Sequence, residues 1–134
     1  MRVLLDTNVL ASAFTSFGLC HLAYERAIIR ADLITAPRLL DELRRTLTKK
    51  MKIEASLADE IRVELETDLE MVEPEALPKS ICRDKDDDWV LAAALTGRAD
   101  MIVSGDKDLL ALKIFQGIKI LTPRQFVELI NAQK

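Results

Sequence analysis

The chain has 134 residues, 49% of them apolar and 4% aromatic, with a net charge of −3. Those values fit one domain, 1–134, built on an aliphatic core, and they exclude a membrane-spanning run, which needs about 18 apolar residues in succession. Cys20 and Cys82 stand alone and His21 is the single histidine, which excludes a disulfide framework, a cysteine-based zinc site and a histidine-rich metal site.

Residues 2–5, Arg-Val-Leu-Leu, read as a short buried strand that stops on Asp6. An acid this early leaves no room for a signal peptide, so the expected location is the cytoplasm. The apolar stretch 9–14 starts a helix, broken by Ser16-Phe17-Gly18, and a second helix is expected over 20–30. Leu33-Ile34-Thr35 is a strand, and Pro37 opens the next helix in the position proline favours. That helix runs to about Lys50, with Leu39, Leu40, Leu43 and Leu47 at spacings of three and four. A long amphipathic helix over 54–70 shows Leu57, Ile61, Leu65 and Leu69 on one face, and Met71-Val72 forms a short strand. After a loop bounded by Pro74 and Pro78, the run Asp84-Lys85-Asp86-Asp87-Asp88 precedes an Ala-rich helix over 89–96 that Gly97 ends. A strand over 100–104, a short helix over 109–112, a strand over 118–121 and a last helix begun by Thr122-Pro123 complete the chain. This alternation predicts an α/β fold of three layers, α/β/α, around a central parallel sheet of four to five strands.

Right-handed crossovers bring the C-terminal ends of parallel strands to one edge, where open α/β sheets bind ligands. Asp6 and Asp106 directly follow strands, Glu42 lies among the leucines of the Pro37 helix, and the acidic run sits at a helix start. Each acid taken singly is also a good helix cap, dipole partner or solvated residue. Gathered at one edge, several carboxylates stay ionised only if a cation neutralises them. An all-oxygen site selects Mg²⁺ or Mn²⁺. Such a site can lower the pKa of a bound water and steady charge on a phosphodiester under in-line attack.

The motifs resemble those of the PIN-domain family over nearly the whole chain. Val3-Leu4-Leu5-Asp6-Thr7-Asn8-Val9-Leu10 is similar to the family's opening strand and acid, and Leu39-Leu40-Asp41-Glu42-Leu43 to its second acidic motif. The run from Asp84 to Ala94 resembles the third motif, and Ile102-Val103-Ser104-Gly105-Asp106-Lys107-Asp108 the fourth. The resemblance is closest to single-domain prokaryotic toxins of toxin–antitoxin pairs of the VapC type. It implies a metal-dependent ribonuclease using Mg²⁺ or Mn²⁺, an antitoxin partner and homodimerisation. It also implies that Asp6, Glu42 and Asp106 are metal or catalytic carboxylates, with Asn8 bracing the Asp6 turn and Ser104 supporting Asp106. Asp87 is favoured over Asp88 for the third acid, because it shares a helix face with Val90, Leu91 and Ala94. Asp84 and Asp108 are further candidates.

RNA requires positive charge nearby. Arg38, Arg44, Arg45, Lys49, Lys50 and Lys52 cluster on and after the Glu42 helix, where they would grip phosphates or simply solvate a helix face. Trp89, beside the acids, is expected in the core from burial statistics. A phosphatase of the haloacid-dehalogenase type also opens on a strand ending in Asp but needs a second Asp two positions on, where this chain has Asn8. A receiver-type phosphoacceptor needs an acid after the middle strand, and Leu33-Ile34-Thr35 offers none. A PIN fold that has lost activity and only binds a partner is the remaining alternative, and the four intact acidic positions count against it.

Overall fold

In the computed structural model, which describes residues 1–133, four-residue strand β1 (Arg2–Leu5) lies at the centre of the molecule. It is followed by α1 (Thr7–Thr15), α2 (Leu19–Arg30), β2 (Asp32–Thr35) and α3 (Pro37–Arg45). A π-helical turn, Thr46–Lys50, extends α3, closed by the Met51 amide donating to the Thr46 carbonyl at 3.1 Å. Then come α4 (Ala55–Asp68), β3 (Glu70–Met71), α5 (Lys85–Thr96), β4 (Met101–Val103), α6 (Lys107–Leu112), β5 (Ile114–Phe115), β6 (Ile118–Leu121) and α7 (Pro123–Ala132).

The strands form one sheet in the order β3-β2-β1-β4-β6-β5. Five strands are parallel, as expected from the alternation; β5 pairs antiparallel with β6 and makes a sixth. This two-residue edge strand has no sequence signal. It arises from a tight turn in which Gln116 and Gly117 take positive φ values of 47° and 84°, with Lys113 at 61° just before it.

The alternation of β1 splits the core into two faces. Val3 and Leu5 join Leu33, Met101 and Val103 beneath α1, α2, α4 and α7, with Phe126 and Ile130 among them. Leu4 joins Ile34, Ile102 and Ile120 beneath α5, with Val90, Leu91 and Ala94. α3 serves both layers, giving Leu40 and Leu43 to the first and Leu39 to the second. In α4 the buried stripe is Ala58, Ile61 and Leu65, and Leu57 turns outward, 48% exposed. Cys20 and Cys82 are free and half-buried. Among the described residues no helix is long and apolar enough to cross a membrane.

The strand order fixes where a ligand can go. From β1 the chain crosses outward to β2 and β3 on one side, while β4 starts on the other side and leads to β6. Crossover direction therefore reverses between β1 and β4, the switch point at which neighbouring loops part and leave a crevice beyond the strand C-termini. β1 and β4 are in register, Leu5 against Val103, and the Asp6 amide donates to the Val103 carbonyl at 2.9 Å.

Candidate metal centre

Two loops enter that crevice. After β1 the chain turns into α1 at Asp6, which is only 6% exposed. Its Oδ1 accepts the Thr7 amide at 2.7 Å and caps the helix, while its Oδ2 accepts the Ser104 hydroxyl at 2.7 Å. After β4, Ser104 is fully buried, and its Oγ also accepts the Asp106 amide at 2.9 Å. One hydroxyl thus ties the two strand-end acids together. Asp106 Oδ1 then caps α6 by accepting the Asp108 amide at 3.0 Å.

α5 supplies the third acid. The helix starts at Lys85, earlier than the apolar pattern indicates, with Asp84 as its cap accepting the Asp86 amide at 2.9 Å. Asp87 and Asp88 consequently sit in its first turn and diverge. Asp87 is buried against the site and shares a hydrogen bond with Asp106. Carboxylate oxygens of Asp87, Asp106 and Asp108 lie within 4.8 Å of one another. Burial, the bond to Asp106 and the charges of Asp106, Asp6 and Asp84 push the Asp87 carboxyl up to about 8. Burial likewise raises Asp6, against the hydrogen bonds from Ser104 and Thr7.

Asp88 faces the other way. Its Oδ1 accepts the amides of Cys82 at 2.7 Å and Ile81 at 3.1 Å, and its Oδ2 accepts the Ser80 hydroxyl at 2.7 Å. Against the upward push of burial, these donors hold it below the ordinary aspartate range. It is the hook that fastens the loop before α5 to the helix. Asp88→Ala is expected to destabilise the protein by about 1 kcal/mol, because the part-buried Cys82 amide loses its acceptor while the exposed Ile81 amide and Ser80 hydroxyl turn to water. Urea denaturation measures this.

Glu42 approaches from α3 and is half-buried. Burial, then the charges of Asp86, Asp6 and Asp84, push it up to about 7 against the pull of Arg45. It lines an open cleft of about 310 Å³ with Arg45, Thr46, Lys49, Lys50 and Asp86. The π turn adds a residue to the last turn of this helix and carries both lysines.

Several expectations change in detail. Asn8 is exposed and, among the described residues, its side chain makes no hydrogen bond, so it does not brace the Asp6 turn; Ser104 and the Thr7 amide do. Asp108 comes closer to Asp87 and Asp106 than its sequence position indicates, although its carboxylate also accepts Arg83 at 2.9 Å. Arg44 is paired with Asp59 at 2.8 Å, and the Arg38 guanidinium lies 4.2 Å from the centre of the Trp89 ring, so of the cations predicted for RNA only Arg45, Lys49 and Lys50 line the Glu42 cleft. Trp89 is half-buried and belongs to neither core cluster. Asp86 was not singled out by sequence; the early start of α5 aims it at Glu42, and the mixed run of acids hides that start.

The donors fit a hard divalent cation. They are carboxylate oxygens alone, and their crowding already forces a proton onto the cluster, a position a cation would take instead.

A family model for the PIN domain matches residues 2–108. Comparison with curated protein sequences finds no match. The crystal structure of VapBC2 from Rickettsia felis, bound to a DNA fragment from their promoter, superposes with a TM-score of 0.66, covering 91% of this chain and 98% of that chain at 15% identity. At that identity the likeness is one of fold.

Proposed function

The chain belongs to the PIN-domain family, and from that premise we propose that it is a metal-dependent endoribonuclease acting as the toxin of a toxin–antitoxin pair. The observation that carries this reading is the meeting of Asp87, Asp106 and Asp108 beside Asp6 at the β1–β4 switch point. In this reading Asp6, Asp87 and Asp106 hold Mg²⁺ or Mn²⁺, and Asp84 and Asp108 shape the field around it. The bound cation supplies charge neutralisation at a phosphodiester and acidifies water near it.

The chain's own residues do the rest. Ser104 holds Asp6 and the Asp106 backbone at fixed separation, so two of the acids meet the substrate without rearranging. Glu42, half-buried on α3 and lining the cleft with Asp86 and Arg45, is suited to take a proton from an attacking water. Arg45 and Lys49, which line the Glu42 cleft, bind the flanking phosphates. Arg44 is committed to its ion pair and contributes less. An antitoxin would relieve the toxicity, and a second copy of the chain would pair with it as in family relatives.

RNA incubated with Mn²⁺ tests the reading. Wild-type protein is expected to cleave, and Asp6→Asn and Asp106→Asn to be inactive while remaining folded, because Asn also caps helices well. Cleavage that survives both substitutions sinks the assigned site. Arg45→Gln with Lys49→Gln is expected to weaken RNA binding and to flatten the slope of log K against log salt by about 0.7 for each phosphate no longer neutralised, measured by fluorescence anisotropy.

A further inference from the structure

We propose that the cavity beside Trp89 is a base-stacking subsite that receives one unpaired nucleobase of single-stranded RNA next to the acidic cluster; this deepens the nuclease reading and rests on it. Trp89 points away from Asp87 but shares a face of α5 with Asp86, three residues before it, and lies under the guanidinium of Arg38, four residues before Glu42 on α3, so the ring sits on the Glu42 side of the acids. The ring borders a cavity of about 170 Å³ together with Leu77, Lys79, Ser80, Lys85 and Asp88. That volume is below the range of sites for drug-sized ligands, which start at about 300 Å³, and suits a single flat ring.

The walls divide by chemistry as a nucleotide does. Trp89, Leu77 and Ala76 offer apolar surface for a base, and Lys79 and Lys85 offer positive charge for its phosphates. Among the described residues neither lysine has an ion-pair partner. Arg38 adds a third cation, its guanidinium over the Trp89 ring. A stacked arginine and indole form a platform that accepts any base, because every base has a π face. The wall is already in place: Asp88 pins Ser80, Ile81 and Cys82 to α5, so the loop needs little ordering when RNA arrives. A large aromatic left out of both core clusters, with cations around it, beside a phosphodiester-cutting site, has the features of a stacking platform.

Trp89 is the chain's one tryptophan, so its fluorescence reports this place alone. With EDTA present to prevent cleavage, a short single-stranded RNA of mixed sequence is expected to quench that emission saturably. An abasic ribose-phosphate oligomer of equal length, and the same RNA as a duplex, are expected to leave it nearly unchanged. Equal quenching by the abasic oligomer, or RNA binding seen by anisotropy with no quenching, overturns the subsite. In Mn²⁺-dependent cleavage, Trp89→Ala is expected to raise KM by about tenfold to a hundredfold with a smaller change in kcat, and Trp89→Phe to retain most of the function. The Phe variant keeps the test valid if the Ala variant fails to fold. Wild-type cleavage with KM unmoved in a folded Ala variant rejects the subsite and leaves the nuclease reading standing. Base-dependent quenching without any metal-dependent cleavage does the reverse.

Discussion

Asp87→Asn is expected to abolish metal-stimulated RNA cleavage, by about a hundredfold or more, and to make the metal-free protein more stable at alkaline pH. The loss follows from removing a buried anionic donor from a cluster whose other members stay in place. The gain follows from the same crowding. Near neutrality the Asp87 carboxyl, pushed up to about 8, is mostly protonated, and an amide of nearly the same shape mimics it. Above that value the wild-type cluster must ionise and repel, whereas the amide remains neutral. Thermal unfolding in EDTA should therefore give similar melting temperatures for the two proteins at neutral pH and a higher one for the variant at alkaline pH. A variant that melts below wild type in alkaline EDTA while still cleaving RNA would contradict both parts. Opposite behaviour is expected of the neighbouring Asp88, whose loss weakens the fold because it serves amides and a hydroxyl.

The second large effect is a pH-dependent stability that a divalent cation removes. Asp87 is raised from 3.8 to about 8 and Glu42 from 4.5 to about 7. A carboxyl raised in the folded state binds its proton more tightly there than in the unfolded chain, so unfolding releases protons between the two values. The contribution of each group is fully present below its unfolded value and is lost as pH rises through its folded value. Metal-free protein should thus lose stability steadily from about pH 4 to pH 8. Mn²⁺ or Mg²⁺ competes with those protons, so the rise in melting temperature it produces should grow with pH across the window. At a concentration of 100 times Kd the stabilisation is about 2.7 kcal/mol, several degrees for a domain of this size. A metal-free stability that rises with pH over this range, or a metal shift that shrinks, would refute the crowded cluster.

The parallel sheet was legible because its signal is local: short apolar runs, each stopped by an acid, a proline or a glycine, alternating with helical spacing. Asp6 was legible for the same reason, since the end of a strand fixes where the next residue goes, and Asp106 because a strand followed by Ser104-Gly105 turns into a helix that an acid caps. The choice between Asp87 and Asp88 was legible only in part. Shared helix face favoured Asp87, but what holds Asp88 away is a hook to Ser80, Ile81 and Cys82 across a loop with no periodicity. Side-chain fates decided by distant partners were not legible at all. Arg44 is taken by Asp59 on α4, and Arg38 by Trp89 on α5. The β5–β6 hairpin was missed because two residues are too few for a strand pattern, and its turn relies on Gln116, a residue type seldom used at positive φ.

Three of the acids around the site also begin helices: Asp6 for α1, Asp84 for α5 and Asp106 for α6. In the nuclease reading each carries a second duty, toward the cation, and only that one requires a negative charge. An Asn or Ser in its place would still cap the helix. The helix starts are consequently indifferent to the charge, although the crevice between them is not. In the nuclease reading a lineage could lose activity at any of these positions while its helices still start, and an inactive descendant would be recognised by intact caps around a crevice with fewer charges.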